Sequence, residues 1–127
     1  MVIIDTSIWI EFFKTSTPYF ESVDELLDRN EVIGLSFIFG ELLQGVKNQR
    51  ERRLITDFWT ALPKIDETGL FIRAGIESGR HKWVDKGVGL IDSALLIASI
   101  ESNAFLWTLD KKLSMVLSKE QRYIPEK

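Results

Sequence analysis

The chain has 127 residues, 45% of them hydrophobic, enough for one domain with a sizeable core spanning residues 1–127 and too few for two ordinary ones. It contains no cysteine, which excludes a disulfide framework and thiolate metal ligation and leaves oxygen and nitrogen chemistry. Sixteen Lys and Arg against nineteen Asp and Glu give a net charge of -3, a poor bulk signature for nucleic-acid binding, so that only local clusters of bases could meet phosphate.

In chain order, residues 2–5 read as a short strand. Thr6 or Ser7 can cap a helix running through Phe13, and Thr15-Ser16-Thr17-Pro18 starts a second helix reaching about Asp28. Arg29-Asn30 turns the chain into a second strand over 32–35, with Ser36 available to cap the helix carrying Phe37, Leu42, Leu43 and Val46. Residues 49–62 place Leu54, Ile55, Phe58, Trp59 and Leu62 on one helical face, and Pro63 ends that helix. A minimal strand at 64–65 precedes a long helix over 68–84, and Lys86-Gly87-Val88-Gly89 is the most loop-like stretch. A helix over 90–101, a strand over 104–108, a short helix over 111–117 and a final strand at 123–124 complete the pattern. Strands separated by helices predict an α/β fold, three layers α/β/α, around a central, mostly parallel sheet of four or five short strands. No apolar stretch approaches the roughly 18 residues of a membrane span. Met1-Val2-Ile3-Ile4 enters Asp5 without the basic region of a secretory signal, so a cytoplasmic location is expected.

Four acids stand out on this map. Asp5 and Asp110 close apolar runs at strand ends, where ligands of open parallel sheets gather. Glu41 and Asp92 lie inside apolar helical patterns. Taken singly, Asp5 reads equally as a strand-to-helix cap, Asp92 as a first-turn acid favoured by the helix dipole, and Asp110 as a turn residue. Glu41 resists that reading because Ile38 and Leu42 share its side of the helix, where an uncompensated acid is costly. There is no His pair at ligand spacing, and His81, between Arg80 and Lys82, reads as a solvated helix residue. A joint site would therefore be all-oxygen, which suits Mg2+, with Mn2+ as a substitute, better than zinc or copper.

Val2-Ile3-Ile4-Asp5-Thr6-Ser7-Ile8-Trp9, Glu41-Leu42-Leu43-Gln44-Gly45, Leu90-Ile91-Asp92-Ser93-Ala94-Leu95-Leu96 and Leu106-Trp107-Thr108-Leu109-Asp110, in that order, resemble the signature of PIN-domain ribonucleases. Within that family the likeness is to VapC toxins of type II (VapBC) toxin-antitoxin pairs. The resemblance implies that Asp5, Glu41, Asp92 and Asp110 are catalytic and hold the metal, and that Thr6 or Ser7 and Thr108 orient ligands or water. It implies hydrolysis of structured RNA, a transfer RNA or a ribosomal RNA loop. It also implies a homodimer and a VapB-like antitoxin whose carboxyl-terminal segment sets a cation against the acids. Many relatives carry a further acid shortly after the fourth, where this chain has Lys111-Lys112-Leu113, so the metal count stays open.

Divalent metal with activated water suits phosphodiester hydrolysis, with attack on phosphorus and no covalent protein intermediate. Lys86 could add charge compensation. Lys47, Arg50, Arg52 and Arg53, with Arg80, Lys82 and Lys86, could form a phosphate rim or simply solvate helices. Trp9, Phe12, Phe13, Tyr19 and Phe20 follow Asp5 closely, and some of them could leave an apolar groove for a partner helix. Three other readings compete. A phosphorelay receiver would need an acceptor at a middle strand end, for which Asp57 and Asp66 are poor fits. A haloacid-dehalogenase-type hydrolase would need an acid where Ser7 stands. A catalytically silent PIN-like binding protein would share the fold.

Overall fold

Strand β1 (Val2–Ile4) is buried along its whole length. Successive strand residues point to opposite faces, so a run with no exposed member must be covered on both sides. In the computed structural model, which describes residues 1–125, β1 is the middle strand of a parallel sheet. It lies between β2 (Val32–Ile33) and β3 (Phe105–Trp107), in the order β2-β1-β3. Val2 stands opposite Val32 on one side and Phe105 on the other, and Ile4 pairs with Trp107.

The sheet has three strands, fewer than the four or five expected. Residues 64–65 and 123–124 do not form strands. Their neighbourhoods make single parallel bridges, Gly34 with Lys64 and Leu106 with Arg122, one on each edge. Pro63 and Pro125 flank these segments, and a proline cannot donate to a ladder, so neither pairing propagates.

Seven helices surround the sheet among the described residues: α1 (Thr6–Phe13), α2 (Tyr19–Asp28), α3 (Ser36–Gln44), α4 (Gln49–Ala61), α5 (Leu70–His81), α6 (Leu90–Ser102) and α7 (Lys111–Val116). Residues 93–99 of α6 are all buried, as a helix apolar all round requires. It packs against both α5 and the strands. Its buried hydroxyls are satisfied locally, Ser93 Oγ donating to the Gly89 carbonyl and Ser99 Oγ to that of Ala104. Arg73 on α5 makes a two-pronged contact with Glu101 on α6, at 2.7 and 2.9 Å.

Three local expectations are corrected. The helix expected over 68–84 ends at His81, because Lys82 adopts a left-handed conformation (φ 56°) and passes the chain into a 3₁₀ turn, Trp83–Lys86. Asp5 itself, not Thr6 or Ser7, caps α1, its Oδ1 accepting from the Thr6 N–H at 2.7 Å. Ser36 is the first residue of α3 and does not cap it. The Ser36 N–H and Oγ instead donate to the two carboxylate oxygens of Glu67, 31 residues away, at 2.8 and 2.6 Å.

Packing divides the early aromatics between core and groove. Trp9 and Phe12 are 1% and 5% exposed, so they form no groove. Trp9 meets Phe39 edge to face at 5.3 Å, and Phe12 stacks on Phe20 at 5.2 Å, because α1 packs between α2 and α3 and buries that stripe. Since α3 carries Glu41, its distant cap bears on the site. Glu67→Ala is expected to cost about 1 kcal/mol, the usual value of a lost helix cap, and Glu67→Gln less. Urea denaturation with equal slopes would measure both.

Candidate metal centre at the carboxyl end of the sheet

Two adjacent parallel strands end at the same rim, and a hydrogen bond ties their ends. Asp5 follows β1, Thr108 follows β3, and Thr108 Oγ1 donates to Asp5 Oδ2 at 2.7 Å. The same hydroxyl accepts from the Asp110 N–H at 3.0 Å, while Asp110 Oδ1 caps α7 by accepting from the N–H groups of Lys112 and Leu113 at 2.8 and 3.0 Å. From the other side Thr6 Oγ1 donates to Glu41 Oε1 at 2.9 Å, bringing α3 onto the start of α1. Asp92 enters in the first turn of α6, half-exposed, and accepts no hydrogen bond among the described residues. Ser7 Oγ is buried and has no hydrogen-bond partner among them.

Burial and neighbouring acids act on two of the four carboxylates, Asp5 and Asp92. Burial pushes the Asp5 carboxyl above its ordinary value, against the lowering effect of the Thr108 and Thr6 hydrogen bonds, and repulsion from Glu41 and Asp110 adds to the rise. Asp92 is pushed up to about 6, first by desolvation and then by Asp5, Asp110 and Glu41. Every charge raising these two belongs to the same set of acids. Glu41 is exposed, so the expectation that it sits dehydrated beside Ile38 and Leu42 fails. Those two are buried, while Glu41 turns outward toward Thr6.

The PIN domain family model matches residues 2–116. The chain belongs to the PIN domain family. It is also 29% identical, over 119 residues, to the protein named ribonuclease VapC32 in two Mycobacterium tuberculosis strains, CDC 1551 / Oshkosh and ATCC 25618 / H37Rv. That match covers 89% of this chain and 87% of the relative.

This PIN domain offers an oxygen-only donor set, the chemistry that suits a hard divalent cation. Glu41 is the exposed member and is oriented by Thr6, while Asp92 accepts no hydrogen bond among the described residues. As the side chains lie, no three Asp, Glu or His residues among those described gather closely enough to hold an ion. The donors fit the metal in kind and electrostatic need.

The remaining candidates scatter. Lys47, Arg50, Arg52 and Arg53 are exposed around the start of α4, and Arg80 pairs with Glu77. Lys86 lines a groove beside α6 and α7. Asp57 lies on α4, and Asp66 is exposed in the connection after the Lys64 bridge, so neither occupies the strand-end position of a phosphorelay acceptor. An apolar groove of about 370 Å3 is present beside the acids, between α1, α3 and α4. It is formed by Ile10, Phe13, Leu42, Val46 and Leu54 with Glu41 at its edge, not by Trp9 and Phe12. Ile10 and Leu54 are 42% and 49% exposed, but only packing reveals that they face one another.

Because folding raises the Asp92 value from 3.8 to about 6, the native state binds the proton more tightly than the unfolded chain. The resulting stability is complete below pH 3.8 and is lost as pH rises through about 6. In EDTA, Asp92→Asn is therefore expected to be more stable than wild type at pH 7.5, with the gap closing toward pH 4. Solvent screening of this half-exposed carboxylate holds the gain to about 1–2 kcal/mol. Thermal melts across pH would show it, and added Mg2+ should stabilise wild type more than the variant.

Proposed function

We propose that this PIN-domain protein is a metal-dependent endoribonuclease, the toxin of a type II toxin-antitoxin pair, acting on a tRNA or an rRNA loop. The observation that carries the reading is that Asp5 and Asp92 are both raised by burial and by repulsion from Glu41 and Asp110, acids contributed by other elements. The name of the mycobacterial relative, a ribonuclease, supports it.

In this reading Asp5 and Asp92 are the principal ligands of Mg2+, or of Mn2+ in its place, with Glu41 and Asp110 completing the set. Bound metal would supply acidified water and offset charge gathering on the phosphoryl oxygens. Thr108 fixes the Asp5 carboxylate and ties it to the Asp110 backbone, while Thr6 steers Glu41. Water attacks phosphorus, the bond to the leaving oxygen breaks, and no bond to the protein forms. A silent PIN-like binding protein is the second reading, favoured by Lys111-Lys112 standing where another acid would extend the ligand set.

Purified, partner-free protein is expected to cleave structured RNA in Mg2+ or Mn2+, and EDTA should stop it. Glu41→Gln, which removes charge while nearly keeping shape, should slow cleavage about a hundredfold or more. End-mapping of cuts in total RNA would name the substrate. Metal-independent cleavage, or a fully active Glu41→Gln protein, would overturn the assignment, and metal-loaded protein that cuts nothing would favour the silent reading.

The partners follow the same logic. The protein works in the cytoplasm as a homodimer, restrained by a VapB-like antitoxin whose apolar segment fills the groove by Ile10, Phe13 and Leu54 and sets a basic residue toward Glu41. Leu54→Arg is expected to weaken antitoxin binding about tenfold or more, through lost apolar area and a buried charge. Calorimetric titration with the antitoxin would measure it, and unchanged affinity would place the partner elsewhere.

A further inference from the structure

A second concave surface, of about 670 Å3, lies between the end of α5, the 3₁₀ turn, α6 and α7. Its wall is an aromatic platform. The His81 ring lies flat on Trp83, with centroids 5.3 Å apart and planes 13° from parallel. Trp83 is only 7% exposed, whereas 54% of the His81 side chain is open to solvent. Glu77 Oε2 lies 3.3 Å from His81 Nε2 and holds the ring by its edge, and Glu77 also pairs with Arg80. Lys86 and Gln121 supply polar groups, and Ile100 and Met115, 49% and 84% exposed, supply apolar ones.

The groove and Asp92 share helix α6. Asp92, Leu96 and Ile100 are spaced by four along α6 and share one helix face, and Leu96 and Ile100 line the groove. On the facing side, the Lys112 backbone N–H holds Asp110, while its side chain lies across Gly87, so close that a Cβ there would meet Lys112 Cδ at 2.7 Å. Charge supplies the third observation. Residues 82–89 and 111–122 carry six bases (Lys82, Lys86, Lys111, Lys112, Lys119, Arg122) and two acids, Asp85 and Glu120, in a chain whose net charge is -3. Of these bases Lys86 lines the groove, beside the half-exposed His81 ring.

We infer that this groove binds an unpaired nucleotide of the RNA substrate outside the scissile bond, its base stacked on His81 and its phosphate met by Lys86. The inference rests on the nuclease reading. Flat aromatic faces with neighbouring cations bind single-stranded nucleic acid through stacking and phosphate contacts that tolerate any base. A protein helix on the same surface would cover Ile100 and Met115 but would leave Lys86 facing an apolar partner. RNA accounts for the ring and the cation beside it together.

The test compares wild type, His81→Ala, His81→Tyr and Lys86→Ala in two measurements. One is anisotropy of a fluorescein-labelled unpaired 12-nucleotide RNA in EDTA, and the other is steady-state cleavage of the RNA identified by end-mapping. His81→Ala is expected to raise Kd and KM about tenfold with kcat unchanged, in line with the loss of one base stack. His81→Tyr, which keeps a stacking face, should restore both. Lys86→Ala should lower the slope of log affinity against log salt by about 0.7, one phosphate's share on a single strand. Wild-type affinity and KM in both His81→Ala and Lys86→Ala would overturn the groove, and a Glu41→Gln protein still impaired in cleavage would leave the nuclease reading standing. Loss of self-association or antitoxin binding in these variants, with RNA affinity intact, would overturn it in favour of a protein interface. A wild type that neither binds nor cleaves RNA would remove both readings.

Discussion

The hydrogen bond from Thr108 to Asp5 joins the ends of two neighbouring parallel strands, and the candidate site is assembled around it. Parallel pairing sets Ile4 beside Trp107, so the residues that follow them leave the sheet at the same level and on the same side. With Asp5 capping α1, Thr108 bridging to Asp110, and Asp110 capping α7, three positions are fixed by backbone-determined contacts. Asp92 and Glu41 are held less tightly, one in a first helical turn and the other on an exposed helix face. Asp5 and Asp110 are fixed by capping, and Glu41 is oriented by a single side-chain contact from Thr6.

This arrangement carries a cost. Asp5 is partly desolvated while facing other acids, and Asp92 resists ionisation for the same reasons. The hydroxyls of Thr6 and Thr108 orient the carboxylates, but as neutral donors they do not cancel charge. Among the described residues no cation relieves the repulsion within the set, a condition that favours an external cation, whether a metal ion or a partner's side chain.

Much of this was legible in the sequence. Each acid lies at the end of, or inside, an apolar run, and such runs report strand ends and helix faces directly; the order of Asp5, Glu41, Asp92 and Asp110 carried the family likeness. What escaped was non-local. Glu67 reaches Ser36 only because the chain returns past the sheet edge, and no spacing rule links positions 31 residues apart. Trp9 and Phe12 read equally as core or groove until helix packing decided for core. The sequence neighbours of Glu41 are apolar and suggest a dehydrated acid, yet Ile38 and Leu42 are buried while Glu41 faces solvent. Lys64 and Tyr123 sit in segments with strand-like composition, but the adjoining prolines limit pairing to a bridge.

Those single bridges have a consequence for how anything can attach to the molecule. The Gly34 N–H is taken by the Pro63 carbonyl at 2.8 Å, and at the opposite edge the Leu106 N–H and carbonyl are taken by Gln121 and Tyr123 at 2.7 and 2.9 Å. Each bridge is too short to be a strand but long enough to occupy the backbone groups that an incoming strand would seek. Adding a foreign chain by backbone pairing is thereby discouraged at both margins, as is end-to-end polymerisation of the sheets. Recognition is left to side chains on the helices, where a change of one residue can alter the choice of partner without disturbing the sheet that carries the acids.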